Sequence, residues 1–176
     1  MAQTSTLYRF TVDLSDVDRN LYQTLEFRAA MHPSESGPFF ITRVLAYCLN
    51  FQDGLEFSGG ISTPDDPALK VMGLTGNIDL WIDIGNPTAK RIHKASKSAK
   101  QVLIYTHKDA HMLVEDFKTE GVHKLEAIGI YSMDQRFLNA LGATLTRDNH
   151  WEMTRNDGEL YVGVGNETYP GKLTKQ

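Results

Sequence analysis

A chain of 176 residues, 41% of them hydrophobic, is of one-domain size and carries enough apolar material for a continuous core, which excludes a disordered polypeptide and predicts a single domain over residues 1–176. The formal net charge of −4 excludes a surface that coats nucleic acid throughout and confines phosphate contact to a local basic patch. Charges or glycines interrupt every apolar run short of the roughly 18 residues a spanning helix needs; Cys48 has no internal disulfide partner and residues 1–6 lack a secretory pattern, so a cytoplasmic location with no membrane partner is expected.

In chain order, residues 7–14 and 21–27 alternate in side-chain character across a polar segment and predict two antiparallel strands. Ser34 is placed to cap a helix over residues 35–51, with Pro38 in the first turn where a missing donor costs little. Its apolar residues cover more than one stripe, so the helix is expected to be largely buried. Residues 55–57 and 69–74 read as short strands around a loop containing Gly59-Gly60 and the Thr63-Pro64-Asp65-Asp66-Pro67 segment. The near-continuous apolar run 78–84 predicts an interior strand covered on both faces. Asn86-Pro87-Thr88 breaks it, and Asn86 or Thr88 caps a helix over residues 89–100. A strand over 101–106, a helix over 110–120, a strand over 125–131 and a helix over 134–145 capped by Asp134 follow. A hairpin of residues 151–155 and 160–164 turns at Asn156-Asp157-Gly158. The expected architecture is α/β, a mixed central sheet with flanking helices.

Two carboxylates, Asp79 and Asp83, interrupt the apolar strand, and burying a carboxylate is costly unless it is paired or binds a metal. They share a face of a regular strand but stand roughly 13 Å apart at about 3.3 Å per residue, so one ion reaches both only across a bend or bulge. The bland alternative is that one of them caps a turn or pairs with the following helix. Residues 84–108 up to Lys108 hold six lysines and arginines and no acid before Asp109. Lys90, Lys94, Lys97 and Gln101 share a helical face that is suited to phosphate contact, although a solvated helix surface explains a charge run as well. Glu35 is explained by helix-dipole compensation or as a third acidic ligand. His107 and His111 have helical spacing but no third zinc ligand at recognisable spacing.

His32-Pro33-Ser34-Glu35, the run Ile78-Asp79-Leu80-Trp81-Ile82-Asp83-Ile84-Gly85 followed by Pro87, and the segment from Arg91 to Ala95 together resemble the bacterial YaeQ family over nearly the whole chain. That family resembles a divergent branch of the PD-(D/E)XK nucleases. The resemblance implies a restriction-endonuclease-like core of helix, three strands, helix and strand, here with N-terminal and C-terminal hairpins. Under it, Asp83-Ile84-Gly85 stand where the superfamily has an acid, any residue and a lysine, and Asp79 stands for the first acid. Glu35 matches the acid of the first helix. The missing lysine's role passes to Lys94, with Arg91 as second choice; Gln101 opens the last core strand, and Lys97 joins Arg91 and Gln101 in binding. Asp79, Asp83 and Glu35 would hold Mg²⁺ or Mn²⁺, with no organic cofactor. The ion would activate a water for phosphodiester cleavage of a nucleic acid bound through the helix from Lys90 to Lys100. The alternative, raised by Gly85, is a catalytically inactive module on the same fold that binds nucleic acid or protein.

Overall fold

The computed structural model describes residues 4–58 and 65–176; Gly59-Gly60 and Thr63-Pro64, read above as loop, lie outside the described residues. The chain opens with a hairpin of β1 (Thr6–Asp16) and β2 (Leu21–Met31), paired without a slip from Thr6↔Met31 to Asp16↔Leu21. Phe10, Val12 and Leu14 turn inward while their neighbours face out, as period-two alternation requires.

Helix α1 (Gly37–Leu49) is capped by Ser36, whose hydroxyl accepts the Phe39 N–H. Ser34 is not the cap, and Glu35 lies outside the helix. Those residues form a tight turn instead, in which the Glu35 N–H donates to the His32 carbonyl and the His32 N–H to Glu35 Oε1. At the other end of α1, Arg19 reaches across to donate to the carbonyls of Cys48 and Phe51, tying the β1–β2 turn to the end of the helix.

The helix is followed by β3 (Leu55–Phe57), β4 (Leu69–Met72) and β5 (Ile78–Ile84), then α2 (Ala89–Ser98), β6 (Ala99–Thr106), α3 (Ala110–Thr119), β7 (Gly129–Met133), α4 (Gln135–Gly142), β8 (Asp148–Asn156), β9 (Glu159–Val164) and β10 (Glu167–Lys175). The predicted order of helix, three strands, helix and strand is therefore present from α1 to β6. Several boundaries differ, and three of the differences change how elements are assigned. Residues 99–100 belong to β6 rather than to α2, and Gln101, on that strand, shares no helical face with Lys90, Lys94 and Lys97. Leu125–Ala127 is a single 3₁₀ turn and only the segment from Gly129 is strand. The C-terminal hairpin is continued by β10, which the Pro170-Gly171 interruption conceals in the sequence.

The ten strands among the described residues form one mixed sheet in the order β2-β1-β8-β9-β10-β7-β6-β5-β4-β3. β10 is the seam: its residues Glu167 to Lys172 pair with β9, and Leu173 to Lys175 pair with β7. One face packs on α1 and α4 around Phe40, Leu45, Leu138 and Trp151. Over β5, β6 and β7 the other face packs on α2 and α3 around Ile92, Ile104 and Phe117. β5 lies between β4 and β6, interior as expected; Leu80, Ile82 and Ile84 face α1 and α4 while Trp81 faces α2. Among the described residues no helix is long and apolar enough to cross a membrane.

Candidate functional site

The end of β5 is set by Gly85, whose φ of +85° turns the chain out of the strand. Thr88 then caps α2 by accepting the Arg91 N–H. That cap starts the helix at a phase that sends Arg91 back over β5. Its Nε lies 2.8 Å from Asp83 Oδ2 and its Nη2 2.9 Å from Oδ1, a two-pronged pair. Trp81, two residues earlier on the same face, donates its indole N–H to Asp83 Oδ2 at 2.9 Å, and its ring lies 5.4 Å beneath the guanidinium. Arg91 also donates to the Asp66 carbonyl. Asp83 is 4% exposed, so this carboxylate has traded water for three aimed donors. Its hydrogen bond is the first cause that raises the Arg91 pKa further above the usual guanidinium value.

Asp79 is held differently. β4 pairs Val71 with Leu80 and Met72 with Ile78, which leaves Asp79 as the extra residue of a β-bulge. Its Oδ1 approaches Lys100 Nζ at 2.9 Å as a charge contact without hydrogen-bond alignment. It crowds Gly73 so closely that a Cβ there would stand 2.7 Å from Oδ1. The bulge that a shared metal would require is therefore present, but Asp79 uses it to meet a different cation.

Glu35 is buried on the α1 side of the sheet. Arg43 Nη2 lies 2.9 Å from its Oε1 and 3.2 Å from its Oε2, and the same guanidinium covers the rings of Phe40 and Phe57. Each of the three acids is thus neutralised by its own cation: Asp83 by Arg91, Asp79 by Lys100 and Glu35 by Arg43. Among the described residues no group of three or more His, Cys, Asp or Glu side chains gathers. The expected ligand set does not fit a shared Mg²⁺ or Mn²⁺.

Lys94, expected beside the acids, is an exposed side chain 3.7 Å from Asp65. Lys97 is exposed on α2, and Gln101 is exposed on β6 opposite Leu80. The lysine missing at Gly85 has a backbone cause: besides the positive φ, a Cβ there would stand 3.1 Å from the Phe39 ring. His107 is buried beside Gly85 and Phe39, where burial lowers its pKa, while His111 is exposed on α3.

These elements surround an open cleft of about 620 Å³ lined by Asp65, Ile78, Trp81, Lys90, Lys94 and Ser98, with Arg91 in its wall. Trp81, Asp65 and Asp66 join the site without standing among the residues expected from the sequence. Trp81 is legible in retrospect as the aromatic that shares a face with Asp83 at spacing two. The two loop acids precede β4, and the register Leu69↔Ile82 brings them beside the end of β5, a placement no sequence signal gives.

Comparison with known proteins identifies the lineage. The family described as YaeQ protein matches residues 1–172. The protein called uncharacterized protein YaeQ in Escherichia coli (strain K12) is 28% identical over 99% of this chain and 97% of its own length, and that of Salmonella typhi is 27% identical over the same shares. The crystal structure of YaeQ protein from Xanthomonas axonopodis pv. citri aligns with a TM-score of 0.90 at 27% identity, covering 98% of both chains. That from Pseudomonas syringae aligns with a TM-score of 0.90 at 26% identity, covering 99% of this chain and 97% of its own.

Proposed function

This chain belongs to the YaeQ family, and from that premise we propose that it is a nucleic-acid-binding module that contacts phosphates through α2 without cleaving them. One observation carries the reading. α2 presents Lys90, Lys94 and Lys97 outward, holds no acid, and buries only Ile92 and Ala95. Lys90 sits in the first turn, where a cation opposes the helix dipole at a cost of about 0.3–1 kcal/mol. A phosphate beside it would turn that cost into a gain. The cleft floor of Ile78 and Trp81 offers apolar surface next to these charges.

The order of helix, three strands, helix and strand supports descent from a restriction-endonuclease-like core. The acids argue for loss of its chemistry. A metal at Asp83 would have to displace the Arg91 guanidinium and the Trp81 N–H together, and Asp79 and Glu35 are held elsewhere.

The test is fluorescence anisotropy with labelled single-stranded and duplex oligonucleotides over a salt series. With three lysines on phosphates, log Kd is expected to change with log salt at a slope of about 2 for single strands. Lys90→Glu with Lys94→Glu should remove most of the affinity and flatten the slope. Binding that ignores both salt and these substitutions would overturn the reading.

A further inference from the structure

The sheet ends in two unlike edges. β3 is three residues long, whereas β2 is an edge of eleven residues. Exposed edges are usually blunted by shortness, by Lys or Pro, by bulges or by inward-pointing charges. β2 has none of these. It contains no Lys, Pro or Gly, its register with β1 is unbroken, and its inward residues Leu25, Phe27 and Ala29 are apolar.

Parity identifies its free backbone groups. The Arg9 N–H donates to the Arg147 carbonyl and the Val17 N–H to the Arg155 carbonyl, so odd residues along β1 serve β8 and even residues serve β2. The register Phe10↔Phe27 then commits the odd residues of β2 to β1. The edge-facing N–H and C=O groups belong to Tyr22, Thr24, Glu26, Arg28 and Ala30, of which the Ala30 carbonyl already accepts from Arg43 at 2.6 Å, so the open stretch runs from Tyr22 to Arg28. β3 approaches β2 through the contact of Phe57 with Phe27, 6.0 Å between ring centroids, and does not pair with it.

The side chains of these even residues are exposed on the outer face. Arg28 lies directly opposite Arg9, whose charge is already taken by Asp148 at 2.7 Å. Like charges directly opposed on a sheet are unfavourable. Neither Arg28 nor Glu26 makes an ion pair or side-chain hydrogen bond among the described residues.

We propose that β2 is a homodimer interface, pairing antiparallel with β2 of a second copy about a two-fold axis at Phe27. This is the one register that satisfies both unpaired charges. It sets Glu26 opposite the partner's Arg28 and Arg28 opposite the partner's Glu26, each pair exchanging both backbone hydrogen bonds, as edge-facing residues in an antiparallel ladder do. The contact is isologous, so it closes at two copies and continues the sheet from one subunit into the next.

Sedimentation equilibrium of the full chain tests this. The wild type should reach twice the 19.8 kDa chain mass. Glu26→Arg alone and Arg28→Glu alone should each weaken association by about tenfold or more, since each replaces two attractive cross-strand pairs by two repulsive ones. An equimolar mixture of the two variants should dimerise again, because every pair then joins opposite charges. The chain carrying both substitutions should also dimerise by itself. Circular dichroism checks folding, and amide exchange at Glu26 and Arg28 should slow as concentration rises. A wild type that stays monomeric, a dimer indifferent to either single substitution, or a mixture that fails to associate would overturn the proposal. So would association only with some other polypeptide at this edge.

Discussion

Asp79 and Asp83 stand four residues apart on one strand, and the molecule treats them oppositely. Asp83 is buried beneath Arg91 and Trp81 and has its donors aimed at it, whereas Asp79 occupies a bulge, half-exposed, against the amine of an exposed lysine. What separates them is the extra residue in β5. It breaks the period-two relation that would have put both on one face, and it sends each to a different cation. A pair of acids on a strand is therefore not evidence of a shared ligand until the strand is known to be regular between them.

The contrast is sharpest in stability. Arg91→Ala leaves the Asp83 charge buried without its cation and should cost about 3–5 kcal/mol in urea unfolding. Asp83→Ala should cost less, about 2–3 kcal/mol, because the Arg91 side chain is 27% exposed and can turn to water. Glu35→Ala strands Arg43, whose side chain is 5% exposed, and belongs at the upper end of the 3–5 kcal/mol range. A loss under about 1 kcal/mol for Arg91→Ala would mean that the buried pair is weaker than its geometry implies.

Asp79→Ala is expected to change stability by less than about 1 kcal/mol, as for other exposed pairs. If it proved as costly as Arg91→Ala, the distinction between the two acids would collapse. Lys90→Glu and Lys94→Glu sharpen the comparison from the opposite side. Stability should stay within about 0.5 kcal/mol, with Lys90→Glu favourable for the helix dipole, while nucleic-acid binding falls.

How far the sequence could carry this depends on what each signal encodes. The strand over Ile78–Ile84 was legible because burial on both faces leaves an apolar run. The hairpin of β8 and β9 was legible because Asp157 and Gly158 both take positive φ, as the Asn-Asp-Gly segment invites. β10 was not, since Pro170 and Gly171 mark strand edges and breaks alike. Of the acids read as one site, only Asp83 meets a basic residue read with it, Arg91, while Asp79 and Glu35 go to other cations. Arg91 and Asp83 were both selected, yet their mutual pairing depends on the phase set by the Thr88 cap, and the fate of Asp79 on a bulge that no single residue announces. The trade of Ser34 for Ser36 as the cap of α1 has the same origin: both are serines, and the His32 to Glu35 turn decides between them.

The smallest expected effect concerns a third strand carboxylate, Asp13, which is exposed and hydrogen-bonded by His150 at 2.8 Å and by Thr24. The His150 bond is the first cause holding its pKa below the ordinary 3.8. With the folded value depressed, its contribution to stability is present above pH 3.8 and is lost as pH falls through the folded value. An NMR titration should find the Asp13 midpoint below 3.8, moving upward in His150→Ala. A midpoint that His150→Ala leaves in place would remove the assigned cause.

The central claim is that the acid expected to hold the catalytic metal is the structural partner of Arg91. It is tested most directly by incubating purified protein with plasmid DNA and with RNA in Mg²⁺ and in Mn²⁺, beside Asp83→Asn. The account predicts no cleavage above the protein-free control in either metal. Metal-dependent cleavage by the wild type that disappears in folded Asp83→Asn would contradict it.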